Sequence, residues 1–293
     1  MIDIVITYVD GSDPRWIESY NAHVKENPLT KRYRDWGTLK YLFRGIERHI
    51  PFCRKVFLVV SSMSQVPSWM DTTKVSVVTH RDIIPERYLP TFNSSMIEMF
   101  LHRIPGLSEK YLYFNDDMFP VMDCKEEDFF IGGIPAMGIS RNFFAPSAFL
   151  RLAKRSDHLA RKALGLRSGV VYVRPRHICS PMLRSECESL SKAVRDEIFA
   201  SLSILRSEEN YNQYLFLDYM FYKGKMLNKP LTRKHFSLGC SSAKGIASYI
   251  RSPKTKIVCI NDVEMPDESY QEKKSVIINA FQSRYPVKSS FEK

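Results

Sequence analysis

The sequence predicts one α/β domain, residues 1–293, built on a mostly parallel twisted sheet, with a helical subregion at about 183–225 over the strand ends. Three observations predict it. The chain opens on Ile2 to Val9, a nearly continuous β-branched run with the pattern of a strand covered on both faces. Short apolar runs then alternate with stretches of helical spacing, as strand-helix-strand units require. Finally, 293 residues, 44% of them apolar, suffice for one large core.

The opening run ends in the turn signal Asp10-Gly11-Ser12-Asp13-Pro14. From Trp36 to Ile50, Leu39, Leu42, Phe43, Ile46 and Ile50 recur at helical spacing, and Val56 to Val60 returns to a strand. Further strands are expected at Val75–Thr79, Tyr111–Phe114, Val170–Val173 and Lys256–Ile260, with a helix at Ser95–Ile104. Between 183 and 223 the pattern is helical, with Leu190, Val194, Ile198, Leu202 and Leu205 on one face. Asp267 to Arg284 reads as a last amphipathic helix, and the polar tail after Pro286 as loosely held.

Lys and Arg total 43 against 32 for Asp and Glu, and the net charge of +11 favours partners with negative charge: nucleotide phosphates, anionic lipid or nucleic acid. The basic residues are read as spread along the chain, not blocked with aromatics, so nucleic acid is not the expected partner. No apolar stretch approaches the roughly 20 residues of a membrane span, and the start lacks the pattern of a signal peptide, so a cytoplasmic chain is expected. Six cysteines without C-x-x-C spacing read as free, mostly buried thiols. The absence of Gly-x-x-x-x-Gly-Lys, Gly-x-Gly-x-x-Gly and His-Glu-x-x-His removes support for P-loop hydrolysis, dinucleotide redox chemistry and zincin proteolysis.

In open α/β sheets ligands bind beyond the carboxyl ends of the strands. Acids gather at three such places: Asp10 and Asp13, Asn115-Asp116-Asp117, and Asn261-Asp262. Adjacent carboxylates repel unless a cation compensates, so a divalent metal holding phosphates is one reading; turn-forming or helix-capping acids are the other. Glu98 and His102, four apart, would share a helix face, as a catalytic pair or as a surface contact. His177 follows a strand in Arg174-Pro175-Arg176-His177, and reads as a functional imidazole or a solvated loop histidine. Arg206 by default is an exposed arginine at a helix junction.

Thr7-Tyr8-Val9-Asp10-Gly11-Ser12-Asp13-Pro14-Arg15-Trp16 resembles the first conserved region of the Stealth family of sugar-phosphate transferases. The strings Arg34-Asp35-Trp36-Gly37-Thr38-Leu39, Leu89-Pro90-Thr91-Phe92-Asn93-Ser94, Leu101-His102-Arg103-Ile104-Pro105-Gly106 and Tyr113-Phe114-Asn115-Asp116-Asp117 resemble the second. His177-Ile178-Cys179-Ser180-Pro181 resembles the third, with Cys179 where proline is common, and Arg206, Asn210 and Gln213 continue it, with Asn210 replacing an acid. Val258-Cys259-Ile260-Asn261-Asp262 and the C-terminal residues resemble the fourth.

The resemblance implies a Rossmann-like, GT-A-like fold and an enzyme of the bacterial, polymer-building branch. Such an enzyme moves a sugar 1-phosphate from a nucleotide sugar, commonly a UDP-sugar, to a hydroxyl of a glycan acceptor in capsular or cell-wall polysaccharide, releasing UMP. It implies Mg²⁺ or Mn²⁺ at Asp116, Asp117 and Asp262, catalytic positions at Glu98, Asp117, His177 and Arg206, and donor contacts from Asp10, Gly11, Ser12, Arg34 and Asp35. His177 would be the general base, with Glu98 orienting it or standing in for it, and Arg206 would face phosphate oxygens. A lipid-linked acceptor and peripheral contact with the inner face of the membrane fit the same reading. The rivals are a conventional metal-dependent glycosyltransferase, which releases UDP, and a polyanion-binding protein, which consumes no donor.

Overall fold

A computed structural model describes residues 1–24 and 33–293. The chain runs through strand β1 (Ile2–Thr7), helices α1 (Pro14–His23) and α2 (Leu39–His49), strands β2 (Cys53–Val60) and β3 (Val75–Thr79), and short helices α3 (His80–Ile83) and α4 (Ser94–Glu98). Strands β4 (Lys110–Asn115), β5 (Met118–Pro120), β6 (Phe130–Ile131), β7 (Ile134–Met137) and β8 (Ile139–Asn142) precede helix α5 (Ala148–Ala163). Strands β9 (Tyr172–Pro175) and β10 (Ser180–Leu183) lead into helices α6 (Arg184–Ala193), α7 (Arg195–Ala200) and α8 (Tyr214–Tyr222). The remaining elements are β11 (Leu227–Asn228), β12 (Arg233–Ser237), α9 (Ala243–Arg251), β13 (Ile257–Asn261) and α10 (Asp267–Arg284).

Five strands hydrogen-bond in the order β10-β4-β1-β2-β3, the mostly parallel sheet that the apolar runs predict. β10 is an antiparallel edge, with Ser180 opposite Tyr113 and Leu183 opposite Lys110. The packing divides into two compact units, the first from residues 1–5, 78–113 and 126–231, the second from 6–77, 114–125 and 232–293.

In the first unit α5 buries Leu152, Ala153, Leu159 and Ala160 at helical spacing, and Ser147 caps its start by accepting from the Leu150 amide at 3.3 Å. Asp157, on the same buried face, accepts from Arg161 at 2.9 Å and from the Val173 amide at 2.8 Å, which ties α5 to β9. The sequence reading missed α5 because Ser156 and Asp157 occupy core positions and interrupt the apolar period.

In the second unit α2 buries Leu39, Leu42, Phe43 and Ile46, as its spacing predicts. Gly45 lets α2 approach β5: a Cβ there would lie 2.6 Å from the Pro120 carbonyl oxygen. β12 runs parallel to β13 and β13 antiparallel to β5. The tail after Pro286 is not loose. Arg44 donates to both carboxylate oxygens of Glu292 at 2.7 Å, the Asp71 amide donates to the Phe291 carbonyl at 2.8 Å, and Met70 bridges Glu292. Its sequence is polar, but its polar groups are held by α2 and by residues 69–71.

Three expected elements shift. The helix expected over Ser95–Ile104 ends at Glu98 and resumes only as a 3₁₀ turn, Leu101–Arg103, which closes at Ile104, the residue in which Pro105 disfavours helical geometry. The strand expected at Val170–Val173 begins at Tyr172, where pairing with Asn142 starts. The helical stretch from 183 is three helices; α6 stops at Val194, whose φ of −123° and ψ of 38° leave the helical region, and Leu202 and Leu205 are half-buried outside any helix. α6, α7 and α8 nonetheless occupy the expected helical subregion. Cys124, Cys179, Cys187 and Cys259 are buried thiols outside any disulfide. Among the described residues, no helix is long and apolar enough to cross a membrane.

Candidate active site

In the second unit three strands end at one pocket. Tyr8 follows β1, Asp116 and Asp117 follow β4, and Asp262 follows β13, so the carboxyl ends of the strands deliver the acids. Arg34, Asp35 and Trp36, ahead of α2, line the same pocket, and Leu39, Phe119, Leu238, Ile260 and Ile277 make its apolar wall. The Ile260 amide donates to the Asp117 carbonyl at 2.9 Å, and the Cys259 thiol donates to Asp117 Oδ2 at 3.3 Å. Burial, then Asp117, holds that thiol well above its usual range, so it stays a neutral donor.

Negative charge crowds here. The Asp116 carboxyl is pushed up to about 7 by burial first, then by Asp117, Asp35 and Asp262. Burial also raises Asp262, with Asp117 adding to the rise and Arg34 opposing it, and burial with Asp35, Asp10 and Asp116 raises the Tyr8 phenol. Arg34 is engaged elsewhere too: it donates to the Met265 carbonyl at 3.1 Å and pairs with Asp267. A hard divalent cation fits this donor set, because carboxylate oxygens are its preferred ligands and their crowding is what its charge would relieve.

Asp10, Gly11 and Ser12 do not line the pocket. Asp10 Oδ1 accepts from the Ser12 amide at 2.8 Å and the Ser12 hydroxyl at 2.6 Å, an Asx turn, while Asp13 caps α1 by accepting from the Arg15 amide at 3.0 Å. Gly11 donates its amide to the Tyr33 carbonyl at 2.9 Å, and a Cβ at Gly11 would meet that oxygen at 2.2 Å. Asp35 likewise supports its own turn, accepting from the Gly37 amide at 2.9 Å, while facing the pocket.

In the first unit Glu98 closes α4, whose start is capped by Asn93 Oδ1 accepting from the Ser95 and Met96 amides at 3.1 and 3.4 Å. Glu98 is buried; Oε1 accepts from the Tyr113 hydroxyl at 3.2 Å and Oε2 from the Gln213 amide at 3.0 Å. Burial raises its pKa, and the Gln213 amide, Arg206, Tyr113 and His177 pull the other way, so His177 and Arg206 both lie within electrostatic reach. His177 is half-buried two residues after β9, and Arg206 is exposed and donates to the Ser94 hydroxyl at the head of α4. His102 is not Glu98's partner. Its ring meets Phe216 edge-on at 5.7 Å, and burial pulls it down to about 4, the behaviour of a core histidine.

Asn210 accounts for its departure from an acid. Its amide nitrogen donates to the Ser201 carbonyl at 2.5 Å and the Ser203 hydroxyl at 2.9 Å, while its oxygen accepts from Asn93 at 2.9 Å and the Ser207 amide at 2.6 Å. A carboxylate there would have no hydrogens for Ser201 and Ser203. The sequence reading missed Tyr8, Tyr113 and Asn93, which pattern classes as strand and turn residues.

The family model described as Stealth protein conserved region 2 matches residues 32–135, and that of conserved region 4 matches residues 248–293. The chain is 32% identical to a capsular polysaccharide phosphotransferase of Streptococcus pneumoniae, covering 99% of each chain. It is 33% identical to a receptor polysaccharide phosphotransferase of Streptococcus oralis, again over 99% of each, and 30% identical to an exopolysaccharide phosphotransferase of Lactiplantibacillus plantarum, over 100% of this chain and 96% of that one. A solved galactosyltransferase in complex with donor and acceptor sugar analogs shows a looser likeness, at a TM-score of 0.41 and 12% identity over 93% of this chain and 95% of that one. On near-complete coverage by three polysaccharide phosphotransferases and two conserved regions, the chain belongs to the Stealth family and is a phosphotransferase.

Proposed function

We propose that this enzyme transfers a sugar 1-phosphate from a UDP-sugar to a hydroxyl of a capsular or cell-wall glycan and releases UMP. The observation that carries the reading is the pocket at the strand ends, where Asp35, Asp116, Asp117 and Asp262 meet with one guanidinium among them. Asp116, Asp117 and Asp262 would hold Mg²⁺ or Mn²⁺, which supplies positive charge for the donor's diphosphate. Arg34 and Asp35 contact the nucleoside, and Asp10, Gly11 and Ser12 shape the loop behind them.

The acceptor oxygen forms a bond to the phosphorus that bears the sugar, and the bond from that phosphorus to the bridging oxygen breaks, its electron pair leaving with UMP. The acceptor proton passes to His177. Glu98, fixed by Tyr113 and Gln213, favours the charged imidazole that results. Arg206 gives phosphate oxygens a planar, permanently charged fork. The bond from the anomeric carbon to its oxygen stays intact, so the donor's configuration is retained. The acceptor is lipid-linked, and the enzyme meets it from the inner face of the membrane without spanning it.

The test is incubation with UDP-sugars, Mg²⁺ or Mn²⁺ and short glycan acceptors, followed by ³¹P NMR and nucleotide chromatography. A phosphodiester resonance with UMP is expected. UDP would replace this reading by conventional glycosyl transfer, and an unconsumed donor would leave a binding protein.

A further inference from the structure

β8 and β9 pair antiparallel with Asn142 opposite Tyr172, so the residues after Asn142 and those before Tyr172 emerge at one end of this ladder. There Phe143 is 59% exposed, Phe144 84% and Val170 75%. The arrangement is held, not frayed: the Tyr172 hydroxyl donates to the Phe144 carbonyl at 2.9 Å, and Arg161 donates to the Arg167 and Val171 carbonyls at 3.4 Å. Adjacent exposed phenyl rings on a fixed turn mark a contact surface, not a packing accident.

The charge around them is one-sided. Residues 141–176 carry nine Lys and Arg and a single acid, Asp157, so this stretch holds +8 of the chain's +11. Asp157 is fully buried against Arg161 and shows no charge to solvent. Glu208, Glu209 and Glu197 offset Arg151, Arg155 and Lys162, and the surface stays positive, with Arg141 and Arg167 exposed beside the apolar end. The 43 basic residues are spread along the chain, and it is the scarcity of acids that concentrates net charge here.

We propose that this end of the β8–β9 ladder docks on an anionic phospholipid bilayer, with Phe143, Phe144 and Val170 entering the interfacial layer and the surrounding basic side chains meeting the headgroups. An anionic glycan would satisfy the charges and could stack a C–H face on a phenyl ring, but it leaves the aliphatic Val170 beside the rings unmatched, whereas an acyl layer takes all three; a second copy of this surface would bring the same positive charge and be repelled. The assignment deepens the proposed peripheral contact at the membrane and rests on it; phosphotransfer chemistry does not depend on it.

The experiment is co-sedimentation of the full chain with vesicles of phosphatidylcholine, with and without about one-third phosphatidylglycerol, for wild type, Phe143→Ser/Phe144→Ser and Arg141→Glu/Arg167→Glu. Wild type should bind the anionic vesicles, and lose binding without phosphatidylglycerol or in high salt. Each double variant should bind about tenfold or more weakly, while releasing UMP from donor and a soluble acceptor at the wild-type rate. Wild type that ignores anionic vesicles would overturn the membrane contact and this surface together. Binding retained by both variants would overturn this surface alone and leave the contact standing elsewhere.

Discussion

Two clusters, one in each unit, bury acids in opposite ways. In the second, Asp35, Asp116, Asp117 and Asp262 crowd one pocket, and each opposes the ionisation of a neighbour. In the first, the buried acid of the candidate site, Glu98, is met by a hydroxyl, a main-chain amide, an arginine and a histidine. The difference separates two kinds of chemistry. Acids gathered without matching cations are built to receive charge from outside, whereas an acid whose counter-charges are part of the chain is built to position or exchange a proton.

The largest effects should come from the groups placed at the reacting atoms. His177→Ala should lower turnover by about 10²- to 10⁴-fold, the cost of a lost acid-base group, in a steady-state assay of UMP release. Near-normal turnover would remove the imidazole from the mechanism. Asp117→Asn should cost about as much at fixed Mg²⁺ and shift the metal titration to higher concentration; an unchanged titration would sink its role as a ligand and erase the contrast between the units.

Next in size is acid sensitivity in the first unit. His80 and His102 are both pulled down to about 4, chiefly by burial, so each is neutral in the fold. The unfolded chain takes up protons below about 6.5, so their contribution to stability is fully present above that pH and is lost on acidification towards 4. The loss should reach roughly 3 kcal/mol per imidazole, and His80→Gln should flatten the profile in thermal melts from pH 7 to 4. A profile as steep in the variant as in wild type would show that His80 does not drive it.

The smallest effect is the most diagnostic. With chelator present, Asp116→Asn should raise the melting temperature by a few degrees, about 1 kcal/mol, because it removes one of the mutually repelling carboxylates. The same variant should lose the stabilisation that Mn²⁺ gives wild type. A variant that melts lower without metal would mean that Asp116 holds the apo pocket together and does not strain it.

Much of this was legible in the sequence, for identifiable reasons. β1, α2, β2 and α10 advertise themselves through long apolar patterns, and α10 matches the expected Asp267–Arg284. Asp116, Asp117 and Asp262 were legible because the carboxyl end of a strand is where an open sheet places ligands. Asp10 looked the same, yet its side chain closes a turn on Ser12, and only the fold distinguishes an acid used locally from one offered to a pocket. Glu98 and His102 looked paired because four residues separate them, but α4 ends at Glu98 and His102 stands in a separate 3₁₀ turn. Arg206 could be placed only by resemblance. Its loop is held through Asn93 and Asn210, which are 117 residues apart in the chain, and no periodicity reports a hydrogen bond over that separation.

Gly11 carries no functional group and does not line the pocket, yet the Tyr33 carbonyl oxygen lies 2.2 Å from where its Cβ would be. Any other residue would displace Tyr33 and, through the peptide bonds that follow it, Arg34, Asp35 and Trp36. A saturation library at this position should therefore return only glycine among active clones. A hydrogen atom, by leaving room, would rank in such a screen beside the carboxylates.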